Sequence, residues 1–288
     1  MNKACKEGKL DSATNYLWQI ASISMNIGDF HNAQIIISLL SKIAREYDYS
    51  LANLHDYSQK ANYYFMKKEL DNAIKLAEKS IEISRIQGRE DHECGWLGMQ
   101  AESLILLNNL EEAQKIINQA KSKAKRLKTI NPTFLWWYHC SRFHLKIELL
   151  KQRKALKGKQ GIEELQNDAL QCSKDTLKIY KNYVPCLLIF FKMTGELYWL
   201  IGKQKTALTW WAKSIAIGEK LGAKPDLSRT YFEIGKSLAT PQSKYGQLDG
   251  ITAQEYLEKA KLMFEDMDLT WDLNELNKIS VSNKNDLE

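Results

Sequence analysis

Five histidines and five cysteines carry the widest chemical repertoire in this chain, as metal ligands, general bases or nucleophiles, and their spacing tests whether that chemistry is on offer. The histidines are His31, His55, His92, His139 and His144; none forms H-E-x-x-H, and the five-residue step from His139 to His144 splays the two around a helix. His92-Glu93-Cys94 and His139-Cys140 are adjacent pairs, which point to different faces of a helix. Cys5, Cys94, Cys140, Cys172 and Cys186 are odd in number and contain no C-x-x-C, so they are expected to be reduced packing residues. The chain has no G-x-S-x-G elbow and no phosphate-cradling G-x-x-x-x-G-K-[ST]. The expectation is a non-enzyme with no catalytic residue, no metal site and no cofactor.

The elements that would position any site follow from an internal period. Ala21, Ala61, Ala101, Ser141, Gly195 and Gly235 succeed one another at intervals of 40, 40, 40, 54 and 40, each four residues after a large apolar partner: Leu17, Tyr57, Leu97, Trp137, Phe191 and Tyr231. A repeat of this length signals a solenoid or a propeller. Only four prolines and 14 glycines interrupt a composition rich in helix formers, which selects an all-α solenoid of helical hairpins. Gly28-Asp29-Phe30, Lys68-Glu69-Leu70, Asn108-Asn109-Leu110 and Gly202-Lys203-Gln204 read as the turns inside hairpins. Gly8, Asp48, Gly88, Lys128, Asn182 and Gly222 read as the ends of each second helix, and Asp11-Ser12, Ser50, Asp91, Asn131-Pro132, Pro185 and Pro225-Asp226 as the starts of the next first helix.

The fifth repeat reads Phe191-x2-Thr194-Gly195-x2-Tyr198, then Ala207-x3-Trp211. This resembles the tetratricopeptide repeat, W-x2-L-G-x2-Y followed by A-x3-F, in a long-helix form. The resemblance implies a right-handed α-solenoid of about six hairpins (first helix A, second helix B). Leu221 to Leu238 and Leu248 to Leu273 are similar to the C-terminal tails of multidomain signalling proteins, in which a class III nucleotide cyclase or kinase module precedes a STAND-type ATPase and then such repeats. That likeness implies a regulatory or partner-sensing arm, with catalytic domains upstream of Met1 in the same polypeptide.

One continuous array over 1–279 is expected. Residues 1–10 close a preceding helix B, and repeats start near 14, 54, 94, 134, 188 and 228. Insertions fall at about 151–161 and 240–246, projecting from one edge, with helix B of the fourth repeat at about Ile162 to Tyr183 and that of the sixth resuming near Thr252. A capping helix spans 269–279, with Trp271, Leu273 and Leu276 facing inward, and 280–288 is a disordered tail.

Net charge is +6, much of it from Lys121, Lys123, Lys125, Arg126 and Lys128 and from Lys151, Arg153, Lys154, Lys157 and Lys159. These runs read more simply as solvated helix ends than as a nucleic-acid stripe. The start MNKACKEGKL lacks the apolar core of a signal peptide, and the longest apolar stretch, Cys186 to Phe191, is too short to span a bilayer. A soluble, cytoplasmic protein with no membrane partner is expected.

In tetratricopeptide superhelices the groove is lined by helix A. Carried over onto this sequence, that resemblance gives Trp18, Asn62, Phe65, Tyr138, Arg142, Lys192, Trp199, Arg229, Phe232 and Lys236 as partner-binding residues, beside Asn15, Ser22, Met25, His55, Ser58, Gly95, Gly98, Glu102, Ile105, Leu135, Lys146, Ile189 and Glu196. Aromatic and polar side chains interleave, and the C-terminal half is basic, which suits a peptide or protein partner of acidic character. The expected role is an interaction scaffold or sensor arm, with a self-standing peptide-binding adaptor as alternative and a basic nucleic-acid binder as a third.

Overall fold

The computed structural model describes residues 9–47, 49–127, 132–156 and 161–285. Among them the chain is all-α apart from one two-stranded hairpin, with successive helices packed as adjacent antiparallel pairs, the arrangement of a helical-hairpin solenoid. Two compact units divide it, 1–145 and 146–288.

The first unit holds α1 (Leu10–Ile27), α2 (Phe30–Tyr47), α3 (Ser50–Met66), α4 (Leu70–Ile86), α5 (Glu90–Leu106), α6 (Leu110–Arg126), a 3-10 turn (Pro132–Leu135) and the start of α7 (Trp136–Ala155). From α1 to α6 each helix packs on the next, and α1 also lies directly on α3. The small residues sit where the helices close on one another: Ala21, Ala61, Ala101, Ser141, Ala33, Ala73 and Ala113 are all fully buried. A side chain larger by even a methylene at these crossings would force the backbones apart.

The same turn closes the hairpins α1–α2, α3–α4 and α5–α6. Gly28, Lys68 and Asn108, 40 residues apart, are all left-handed (φ 87°, 60° and 59°). The following amide reaches back to the carbonyl five residues earlier: Asp29 to Ser24 at 2.8 Å, Glu69 to Tyr64 at 2.9 Å and Asn109 to Leu104 at 2.8 Å. This satisfies carbonyls that the helix end would otherwise leave orphaned. Gly202 and Asp268 repeat the geometry in the second unit. Gly88 and Gly222 terminate helices as expected, while residues 1–8, Asp48 and Lys128 lie outside the described residues.

The second unit continues α7 and adds α8 (Ile162–Tyr180), α9 (Val184–Leu200), α10 (Gln204–Leu221), α11 (Lys224–Leu238), β1 (Gln247–Leu248), β2 (Ile251–Thr252), α12 (Ala253–Asp266) and α13 (Thr270–Asn285). Gly195 faces Trp211 so closely that a Cβ would stand 2.4 Å from the indole ring, and Trp211, wholly buried, donates from Nε1 to the Lys192 carbonyl at 3.2 Å. The crossing foreseen from Gly195, Ala207 and Trp211 is therefore present.

Several boundaries differ from the sequence reading. Residues Lys151–Ala155 extend α7 and are not a loop, and α8 ends at Tyr180, not Tyr183; 157–160 lie outside the described residues. Insertion 240–246 does not simply project: Gln204 holds it at both polar ends of its amide, donating to the Gln242 carbonyl (2.9 Å) and accepting from the Lys244 amide (2.8 Å). Leu248 and Ile251 pair across Asp249-Gly250, whose positive φ values (52° and 79°) build a tight hairpin; this Asp-Gly signal is legible in sequence and was missed. Thr252 then starts α12 with a reciprocal capping box to Glu255. In α13, Leu276 is buried but Trp271 and Leu273 are only half-buried, and the helix runs past Ile279 to Asn285, so 280–285 are helical in backbone where a disordered tail was expected. Residues 286–288 lie outside the described residues.

Candidate functional site: the helix-A faces

In the first unit, two glycines decide the shape of the candidate surface. A Cβ on Gly98 would lie 2.2 Å from the Tyr138 amide nitrogen and 2.4 Å from the Trp137 carbonyl carbon; on Gly95 it would lie 2.7 Å from the Phe134 carbonyl oxygen. The start of α7 is thus seated in a notch on α5, and Trp137 reaches Phe65 on α3, edge to face at 4.6 Å. Phe65 (5% exposed) and Tyr138 (3%) are core residues here, a correction to their assignment as partner contacts. The notch has no room for a side chain because the opposing atoms are backbone, so Gly98→Ala should cost about 1–3 kcal/mol. Urea unfolding of the variant checks this, and a loss under a few tenths would show that α7 is not held there.

What stays accessible on these faces is smaller. Trp18 is half-buried with its ring 6.1 Å from His55, and Ser22, beside it, accepts from Gln59 Nε2 at 3.0 Å, tying α1 to α3. Asn62 and Arg142 are half-buried. Glu102 meets His144 Nδ1 at 2.7 Å. His55, His92 and His139 are desolvated, and each imidazole is pushed down to about 4 chiefly by burial, with His92 and then Arg89 adding to the effect at His55, Arg89 at His92 and Arg142 at His139. His55 Nδ1, Gln59 Oε1 and His92 Nε2 are buried without a hydrogen-bond partner, and the nearest carboxylate oxygen to His92, on Asp91, is 3.9 Å away. Among the described residues no group of three or more His, Cys, Asp or Glu is placed to share a metal ion. Cys94, Cys140 and Cys172 are buried, burial pushes the Cys94 and Cys186 thiols up to about 12, and Cys5 lies outside the described residues.

In the second unit, charge is distributed differently from the basic face expected. Arg229 is buried and gives two hydrogen bonds to Asp272, Nε to Oδ1 at 3.0 Å and Nη2 to Oδ2 at 2.8 Å. It therefore fastens α11 to α13 and is not a partner contact. Lys146 pairs with Asp168 at 2.8 Å, Lys236 with Glu233 at 2.6 Å, and Lys151 with Glu148 at 2.7 Å and also with Glu196. Burial alone would lower the Lys151 and Lys236 ammonium groups, yet Glu196 and Glu233 raise both, and Glu148 adds to the effect at Lys151. The result is a row of alternating sign across α7, α9 and α11. Beside it stand half-buried Lys192, Trp199, stacked at 5.4 Å on Trp211, and Phe232, edge-on to Phe264 at 6.2 Å with Lys236 above its ring at 5.6 Å.

The basic runs are also partly consumed internally. Lys123 (2.7 Å) and Arg85 (2.6 Å) clamp the buried Glu93 between α4, α5 and α6; burial would raise its carboxyl, and these hydrogen bonds bring it below the usual range. Arg126 pairs with Glu90 at 2.7 Å, and Lys154 donates to the Leu200 carbonyl at the end of α9. Lys157 and Lys159 lie outside the described residues. A polar cleft of about 410 Å³ between α2 and α3, unremarked in the sequence reading, is lined by Ser38, Arg45, Asn53 and Tyr57, and its Asp56 is already engaged by Ser41 (2.6 Å) and Lys60 (2.8 Å). Among the described residues no helix is long and apolar enough to cross a membrane. Compared with known proteins, the chain matches no family model and no curated relative.

Proposed function

We infer that this chain is a tetratricopeptide-like interaction module, not a catalyst, and that it receives a peptide or protein segment on the helix-A face of residues 146–288. The observation that carries the reading is the row of half-buried Lys192, Trp199, Phe232 and Lys236, held by rings and carboxylates of the same chain. Aromatic anchors already fixed by packing lose little entropy on binding, and neighbouring charges of known sign set the register of a partner. Because Lys146, Arg229 and Lys236 each have a carboxylate of their own, a partner of mixed charge fits better than the acidic run first expected. The tail likeness adds a regulatory arm of a cytoplasmic signalling ATPase or cyclase as the setting, with a self-standing adaptor as the alternative. Nucleic-acid binding is disfavoured by the pairing of Lys123 and Arg126 within the fold.

Panning the full chain against a phage-displayed random-peptide library tests the inference. An enriched peptide should lose at least about tenfold in affinity when Lys192→Glu is introduced, and more with Trp199→Ala, by calorimetry. No enrichment, or equal affinity for the Lys192→Glu chain, would remove this face from consideration.

A further inference from the structure

The polar cleft between α2 and α3 has an internal control one repeat along, where α4 meets α5. Forty residues on, Arg45 corresponds to Arg85, Asn53 to Glu93, Ser41 to Ile81 and Asp56 to Trp96. In the later contact Arg85 gives its Nε to Glu93 at 2.6 Å, and Trp96 and Ile81 are both buried. The earlier contact lacks that carboxylate and that indole. Arg45 Nε donates to the Ser41 carbonyl at 3.3 Å, and among the described residues no carboxylate pairs with its guanidinium. Asp56, 7% exposed, is held by Ser41 Oγ at 2.6 Å and by Lys60 Nζ at 2.8 Å, so its charge is spent within the chain. Asp56 and Ser41 together fill less space than Trp96 and Ile81, and α2 and α3 pack less extensively than α4 and α5 do. The space left is the cleft of about 410 Å³, the size of a small-molecule pocket.

We propose that this cleft binds a small aromatic carboxylate: its carboxylate takes the place on Arg45 that Glu93 takes on Arg85, and its ring the space that Trp96 fills one repeat later. Charge agrees. Arg45, Lys60 and Asp56 are the charged side chains of the lining, and the pairing of Lys60 with Asp56 leaves one positive charge for a ligand. A guanidinium can give two parallel hydrogen bonds to a carboxylate, the geometry that favours Arg over Lys for this task. Arg45 is exposed, so the anion stays at the mouth of the cleft and keeps part of its hydration while the ring enters. Half-buried Tyr57 offers a ring for it to pack on, and the half-buried Asn53 amide offers a further donor. The cleft shares no residue with the peptide face of residues 146–288, so the two assignments stand or fall separately.

Indoleacetate joins both groups, and following the backbone amides of the full chain by NMR as it is added, up to about 10 mM, is the test. Shifts should be confined to α2 and α3 and saturate with a dissociation constant on the order of 0.1–1 mM. Tryptamine, with the same ring and an ammonium for the carboxylate, should not bind. Arg45→Gln should weaken indoleacetate by at least about tenfold. Asn53→Glu, which supplies from the chain itself the carboxylate that Glu93 supplies later, should abolish binding with an unaltered circular dichroism spectrum. No saturable shift in α2 and α3, equal binding of tryptamine, or undiminished affinity in either variant would each overturn the proposal. A peptide ending in tryptophan that binds more tightly than indoleacetate would overturn the small molecule as occupant.

Discussion

Between pH 7 and pH 5 the unit of residues 1–145 should lose several kcal/mol of stability while that of residues 146–288 is left nearly unchanged. All five histidines belong to the first unit, and three of them, His55, His92 and His139, are held near 4 by burial. A histidine with a folded value below its unfolded one takes up fewer protons when folded. Its contribution is complete above the unfolded value near 6.5 and falls away as pH drops toward 4. At pH 5 each imidazole taken alone then forfeits about 2 kcal/mol, and because the His55 value already includes repulsion from His92 the three together lose less than the sum, still a large part of the stability of a typical domain. Arg89 and Arg142 work in the same direction, since a protonated ring beside them is repelled, and Asp91 opposes them only at His92. Hydrogen exchange read by mass spectrometry at pH 7 and pH 5 would locate the loss. Uniform protection in both units at pH 5, or a profile unchanged when the three histidines are replaced by glutamine, would refute this account.

Asp272→Ala should destabilise the unit of residues 146–288 by about 3–5 kcal/mol, because it leaves the Arg229 guanidinium in the interior without its carboxylate. Both partners are nearly inaccessible, and the bidentate geometry keeps two of the guanidinium nitrogens hydrogen-bonded. The cost lies in breaking the pair more than in the worth of the pair, so Arg229→Met combined with Asp272→Leu should recover most of the loss. Urea unfolding of the three chains would decide it. A single-variant loss below about 1 kcal/mol would mean that α13 is not fastened to α11 through this pair.

The hairpins were legible because their determinants are local. Gly28, Lys68, Asn108 and Gly202 close helices through the backbone of their own turns, and small residues four after large ones mark a crossing wherever they occur. The candidate site was legible only in part. Trp18, Asn62, Arg142, Lys192, Trp199, Phe232 and Lys236 stay half-buried on their helices, as a surface position requires. Phe65, Tyr138 and Arg229 did not, since each is taken by a residue 72, 40 and 43 positions away, Trp137, Gly98 and Asp272 in turn.

The forty-residue spacing of small and large side chains was thus enough for the all-α class, the pairing of neighbouring helices and the turns between them, because those depend on contacts within one or two turns of chain. Which face remains open, and with what charge, depends on how separate hairpins meet. A glycine notch on α5 admits the start of α7, and carboxylates on α7, α8, α9, α11 and α13 neutralise lysines and an arginine that look free in a linear reading. Burial and ion pairing are properties of what lies opposite a side chain, and only the tertiary structure supplies the opposite side.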